Sequence, residues 1–179
     1  MKKFAKDSLT TMTEMILPND TNTLNNLMGG KMMYWMDIAA AIAAQKHSES
    51  VVVTASVDNI SYSEPIRLGH VITLKAQVTR AFNSSMEVFI EVSAEDIPKK
   101  IKYATNKAFF TFVAIDDEGK PKKVAELVPE NEEERMLFDG ALRRRQLRLI
   151  LSGKMKPNDA DELRAIFNME KEIEFRLKG

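Results

Sequence analysis

In the run GGKMMYWMDIAAAIAA, which begins at Gly29, a single carboxylate, Asp37, interrupts an otherwise apolar stretch. An ionised acid buried without partners costs several kcal/mol, so Asp37 must be paired, neutralised or facing a cavity. It either hydrogen-bonds a neighbouring backbone or a partner subunit, or serves as a general base that activates water. Gly29 and Gly30, at the start of the run, permit a tight turn and close packing. They also leave backbone N–H groups that can hold a developing oxyanion, with the substrate carbonyl free to approach. Asn26 lies in a loop with Asn22 and Asn25. It is a turn or cap residue by composition, or an amide that orients water or a carbonyl oxygen. Gly30 and Asp37 share a helix face but stand ~10 Å apart along the axis. If both act on one carbon, the loop of one subunit must meet the helix of another.

Other chemistries are poorly served. The chain has no cysteine and only two histidines, His47 and His70, both expected in loops or at strand edges and exposed. Disulfides, thiolate metal sites and a Cys nucleophile are excluded, and a His-based triad is disfavoured. No nucleophile elbow, P-loop, dinucleotide fingerprint or zinc-protease motif is present. Neither a metal nor a cofactor is expected. Twenty-six basic and 26 acidic residues cancel, so no global field favours nucleic acid or an anionic membrane. Lys31 and Asp37 break the longest apolar run, and the N-terminal segment has no apolar core after its lysines. A cytoplasmic protein without a membrane span or signal peptide is expected.

The elements that would position these residues follow from periodicity. A short strand is expected over Thr11 to Leu17, ended by Pro18-Asn19-Asp20. Gly29 to Lys46 reads as a helix with apolar residues around nearly its whole circumference, which belongs inside a protein. From Val51 the composition is strand-like. In VITLKAQVTR, Ile72, Leu74, Ala76 and Val78 oppose polar residues; in MEVFIEVSAE, Met86, Val88, Ile90 and Val92 oppose Glu87, Glu91 and Ser93 on a wet face. YATNKAFFTFVAID is the last long strand. Connections this short suit antiparallel pairing, so the expected α+β architecture is one curved antiparallel sheet wrapped around one apolar helix. GKPKKVAELVPE is a linker, followed by two helices, NEEERMLFDGALRRRQLRLILSG and NDADELRAIFNMEKEIEFRLKG.

The segment PNDTNTLNNLMGGKMMYWMD, followed by VVTASVDNISYSEPIRLGHVITLKAQVTRAFNSSMEVFIEV and NKAFFTFVAID, resembles the acyl-CoA hydrolases of the hotdog fold, in their bacterial single-domain form. The resemblance implies a hotdog domain over residues 8–128 and a C-terminal helical extension over 129–179. It further implies a homo-oligomer of dimers, commonly a trimer of dimers, acting on acyl-CoA in fatty acid metabolism. The family's catalytic pair, an Asn or Asp before the Gly-Gly and an acid on the helix of the opposite subunit, falls on Asn26 and Asp37. With Asn rather than Asp at position 26, the role of base passes to Asp37. The Gly30 N–H would hold the thioester carbonyl, and the CoA thiolate would leave without a strong general acid. Direct attack by Asp37 to form an anhydride remains an alternative.

The CoA phosphates need local positive charge. Arg143, Arg144, Arg145, Arg148, Lys154 and Lys156 form one acid-free candidate group, or else a solvated helix face. Arg80 with Ser84 and Ser85 in a hairpin forms another. Three rival readings stand beside hydrolysis. They are a non-catalytic acyl-CoA-binding or regulatory module, a dehydratase on the same fold, and an interaction domain working through its C-terminal helices. A dehydratase would place a His near the helix, and none lies between Pro18 and Ala44.

Overall fold

The computed structural model describes residues 2–58, 60 and 64–166. In chain order the elements are β1 (Lys2–Lys3), α1 (Ala5–Ser8), β2 (Thr10–Met15), a 3-10 turn (Pro18–Asp20), α2 (Gly29–Ser48), β3 (Val51–Asp58), β4 (Val71–Ala81), β5 (Ser85–Asp96), β6 (Ile101–Ile115), β7 (Glu126–Leu127) and α3 (Glu132–Leu151). A second 3-10 turn, Pro157–Asp159, follows α3. Backbone proximity divides the chain into two compact units, Met1–Glu130 and Asn131–Gly179. Most of the second expected C-terminal helix lies outside the described residues, which end with helical backbone over 161–166. Among the described residues, no helix is long and apolar enough to cross a membrane.

In the first unit, five strands form one antiparallel sheet in the order β2-β4-β5-β6-β3. Alternation explains its two faces. Ile72, Leu74, Ala76 and Val78 of β4 and Met86, Val88 and Ile90 of β5 are wholly buried, as their two-residue period predicts. The α2 helix packs against strands β2 to β6. It runs two residues beyond the expected end because Glu49 adopts the left-handed conformation and donates its N–H to the Gln45 carbonyl.

Four expectations need correction. The α2 helix is not buried all round within one chain. Met32, Trp35, Met36 and the alanines 39, 40, 43 and 44 are buried, whereas Met33, Tyr34 and Ile42 are exposed. The polar face of the sheet is not uniformly wet either, for Glu87 is wholly buried. The register slips between Val78 and Arg80, and the Thr79 hydroxyl donates to the Glu87 carboxylate at 2.7 Å. A bulge of this kind brings an extra side chain to a strand partner, here supplying the donor that a buried acid requires. His47 is likewise buried rather than exposed, in the last turn of α2, with Nε2 2.9 Å from the Ala125 carbonyl. Finally, the first sheet strand covers Thr10–Met15 rather than Thr11 to Leu17. Leu17 instead enters the 3-10 turn, where its N–H donates to the Asp20 carboxylate at 3.0 Å.

Two short strands fasten the ends of the first unit. β1 pairs in parallel with β7, within the stretch expected to be only a linker. The Lys3 ammonium reaches the Lys46 carbonyl and the Glu49 carboxylate at the end of α2. Ser8 is fully buried, and its hydroxyl oxygen accepts the Val78 N–H at 2.9 Å. That N–H lies beyond the reach of β2, whose pairing with β4 stops at Ala76. Ser8→Ala should therefore cost about 1–3 kcal/mol in chemical denaturation, the penalty for orphaning a buried donor.

Burial holds the His47 imidazole below its ordinary pKa, against the opposing pull of its bond to the Ala125 carbonyl. The folded state thus favours the neutral ring more than the unfolded chain does. Its contribution is fully present above the unfolded pKa and is lost as pH falls toward the lower folded value. Thermal unfolding followed between about pH 7 and pH 5 should show a falling Tm, with a shallower slope in His47→Gln; equal slopes would remove this assignment.

Candidate active site

The polar loop from Asp20 to Met28 is built largely by its own short side chains. The Asn22 side-chain oxygen accepts the N–H groups of Leu24 at 2.9 Å and Asn26 at 3.2 Å. The Asn22 N–H donates to the Asn26 carbonyl at 2.8 Å, and Asn25 turns the chain with φ 56°. Asparagine suits both tasks, since its side chain mimics a peptide and tolerates left-handed backbone. A neighbouring segment anchors the loop: Leu27 donates to the Ile66 carbonyl at 2.7 Å and Leu68 to the Asn25 carbonyl at 2.9 Å. That segment is held in turn by Tyr103, whose hydroxyl donates to the Pro65 carbonyl at 3.2 Å and lies 3.0 Å from His70 Nδ1. Burial raises the Tyr103 phenol pKa, which keeps it a donor.

The loop delivers the chain to the N-terminus of α2 with Met28 as cap residue, so no side chain covers the first turn. Lys31 and Met32 return their N–H groups to the Met28 carbonyl. The Gly30 N–H, by contrast, has no acceptor among the described residues, and Gly30 is exposed. A Cβ built at Gly30 would meet no atom within 4 Å. The Lys31 ammonium pairs with the nearly buried Asp20 carboxylate at 3.2 Å and lies 5.0 Å from the Trp35 ring centroid. This ties the loop to the helix it precedes.

Two hollows meet at Asn26. A more open one of about 390 Å³ is bordered by Leu24, Asn25, Arg67 and Leu68. The other, of the same volume, reaches inward past Gly29 to Met32, Ile66 and Asn106. Asn26 itself is half-buried. Asp37, about two turns further along α2, is half-buried and accepts the Thr54 hydroxyl of β3 at 2.8 Å. That bond fixes one carboxylate oxygen and leaves the other available to a water.

Of the two candidate phosphate groups, that of Arg80, Ser84 and Ser85 lies elsewhere on the first unit. In the sheet, Thr54 sits opposite Phe112 and Phe112 opposite Met86. Ser84 and Ser85, next to Met86, are therefore near the level of Asp37 but two strands away, roughly 10 Å at the usual strand spacing. Arg80, whose guanidinium lies 5.7 Å from the Phe82 ring centroid, belongs to that same end of β4. The Asn26 hollows open at the other end of β4, roughly 30 Å off at the rise of a strand. Arg143 and Arg144 belong to α3 in the second unit. The Arg144 guanidinium folds back to donate to the Leu137 carbonyl at 2.7 Å. Neither the Thr54 hydroxyl nor the structural work of Asn22 was identified from the sequence. A Thr on an alternating strand carries no mark of the helix residue it will meet.

Residues 24–101 match the family model of the thioesterase superfamily. The chain is 40% identical over 142 residues to an uncharacterized acyl-CoA thioester hydrolase of Bacillus subtilis, covering 79% of this chain and 83% of the relative. It superposes with TM-score 0.79 and 36% identity on an acyl-CoA hydrolase of Staphylococcus aureus solved with butyryl coenzyme A, coenzyme A and coenzyme A disulfide; the match spans 86% of this chain and 96% of that one. Structures of that enzyme also exist with an Asp, an Asn or a Thr replaced by Ala. A hexameric acyl-CoA thioesterase gives TM-score 0.82 at 35% identity, over 85% and 97% of the two chains.

Because space is open beside Gly30, Gly30→Ala should fold normally. Thermal unfolding should show a gain of up to about 1 kcal/mol from the better helix former.

Proposed function

We propose, for a chain that belongs to the hotdog-fold acyl-CoA thioester hydrolases, that it cleaves acyl-CoA to a free carboxylic acid and CoA. Asp37 is the general base, and Asn26 and the Gly30 N–H act on the thioester from a second subunit. The observation that carries this reading is the Thr54–Asp37 hydrogen bond. It holds a half-buried carboxylate in one orientation on a rigid helix, as a base must be held. Water attacks the thioester carbon as Asp37 takes its proton. The Gly30 N–H, aided by the helix dipole, stabilises the tetrahedral oxyanion. Collapse breaks the C–S bond, and the departing thiolate takes up the proton.

Spacing within the chain supports the pairing of Asp37 with Thr54. In the Staphylococcus aureus enzyme, the Asn, Asp and Thr that were changed to Ala stand 15 and 17 residues apart. Those are the separations of Asn22 from Asp37 and of Asp37 from Thr54. The match favours a second reading for the amide alone, in which Asn22 rather than Asn26 meets the substrate. Asn26 is retained here because it borders both hollows, whereas the Asn22 oxygen is already committed to two backbone N–H groups.

The surface supports the pairing of two copies. The exposed Met33, Tyr34 and Ile42 of α2 and Val51, Val53 and Val57 of β3 form apolar surface beside a sheet edge that no strand among the described residues covers. Such surface marks an association site. A second copy on this face brings another loop toward Asp37, which its own Gly30 cannot reach. Three such pairs would make the hexamer seen in the similar thioesterase.

A thiol-release assay on acyl-CoA tests the reading. Asp37→Ala should lower kcat by about 10²–10⁴-fold with the oligomer intact; near-normal turnover would refute its role. Thr54→Val should lower kcat about tenfold with little change in KM. Asn26→Ala should cut kcat without lowering Tm, and if Asn22→Ala alone does so, the amide role belongs to Asn22. Arg144→Glu should raise KM if α3 holds the CoA phosphates.

A further inference from the structure

Pro65 has no N–H to donate, so its carbonyl is the backbone group through which that residue can be held. Tyr103, near the start of β6 and opposite Ala94, donates its hydroxyl to that carbonyl at 3.2 Å. The residues after Pro65 grip the loop before α2. Ile66 accepts the Leu27 N–H and Leu68 donates to the Asn25 carbonyl, so Asn26 stands opposite Arg67 in an antiparallel bridge with a hydrogen bond on either side. The far end of this segment is pinned separately, where Gly69 donates to the Ile16 carbonyl and Ile16 to that of His70, each at 2.9 Å. Tyr103 pins the near end. Behind its phenol, His70 Nδ1 lies 3.0 Å from the oxygen, with the two rings edge to face at 77°. A hydroxyl has one hydrogen; with it directed at Pro65, the phenol oxygen accepts from Nδ1–H. His70 Nε2 faces the Asp96 carboxylate at 3.6 Å, and the Lys99 ammonium holds that carboxylate at 2.7 Å. The His70 and Asp96 side chains are each 14% exposed, so water competes little for these contacts.

We propose that Tyr103, backed by His70, is a positioning residue for thioester hydrolysis, which fixes the Asn26 amide from behind through the segment Pro65 to Leu68. This rests on the hydrolase reading, with Asn26 as the amide. Among the described residues the Asn26 side chain has no hydrogen-bond partner, and only its backbone is held. The place of the amide is therefore inherited from the backbone bridge to Arg67. Without the Tyr103 hydroxyl the exposed Pro65 carbonyl turns to water, the bridge gains play, and the amide spreads over more positions. Asp37, carried by α2 and held by Thr54, keeps its own. A misplacement of about 1 Å from a change far from the chemistry can cost on the order of 10²-fold in rate. An amide that acts on the transition state shows its loss in kcat and not in KM.

The test uses the purified full chain and thiol release from butyryl- and decanoyl-CoA, well below the Tm of every variant. Tyr103→Phe, which removes the hydroxyl and keeps the ring, should lower kcat about tenfold with KM within about twofold. In the Asn26→Ala background the same change should cost nothing more, since a residue that works through Asn26 has nothing left to position. His70→Asn, whose amide can stand in for Nδ1, should stay near wild type, whereas His70→Ala should follow Tyr103→Phe. Should Tyr103→Phe fail to fold, that His70 pair in both backgrounds makes the same comparison. An unchanged kcat, a loss carried by KM alone, or a loss that multiplies with that of Asn26→Ala overturns the proposal while leaving hydrolysis standing. A wild-type chain that releases no thiol from either ester overturns both.

Discussion

Close approach of α2 to the sheet is the constraint on which the remaining geometry depends. Ala39, Ala40, Ala43 and Ala44 are wholly buried, and side chains this small let a helix backbone lie near the strands beneath it. With β4 and β5 filling the interface by Ile, Leu, Met and Val, the helix has one depth at which the packing closes. Gly30 and Asp37 ride on that one rod, so their separation is a property of helical rise and not of loop flexibility. An added methyl at an alanine would lift both together.

Polar groups then tune what the rod presents. The loop before α2 is largely exposed and relies on bonds to Asn22, on Asp20 to Lys31, and on the segment around Ile66. Tyr103 and His70 stand behind that segment. Positioning of the Asn26 amide therefore passes through a chain of hydrogen bonds that begins on β6. On the other side, a single hydroxyl from an edge strand orients the carboxylate. Apolar packing fixes the coarse arrangement, and a small number of directional bonds fixes the fine one.

The strands and the long helix were legible because each follows one period for many residues. Ile72 to Val78 and Met86 to Val92 alternate cleanly, and the stretch from Gly29 contains no strand-like interval. Burial of Glu87 was not legible, since it follows from a slip of one residue at Thr79 that no local pattern records. His47 was misjudged because a helix end next to Ser48 and Ser50 looks exposed until β1 and β7 are known to close over that region. The pairing of Asp37 with Thr54 joins two elements across a turn and depends on how the helix is rotated, which composition does not encode. Asn106, however, did leave a trace: an amide in the place where Ala108, Phe110 and Phe112 set an apolar rhythm.

The sheet ends in β3, which among the described residues has no strand on its outer side and whose register with β6 shifts between Thr54 and Ser56. When an edge strand meets its own copy antiparallel, the union has two-fold symmetry and uses up both edges at once. No third molecule can then extend the ladder from that side, so growth into a fibril is arrested there. The opposite edge, β2, is short and carries Thr11, Thr13 and Glu14, which make it a poor template for further strands. Such a union would yield finite particles rather than an open ladder.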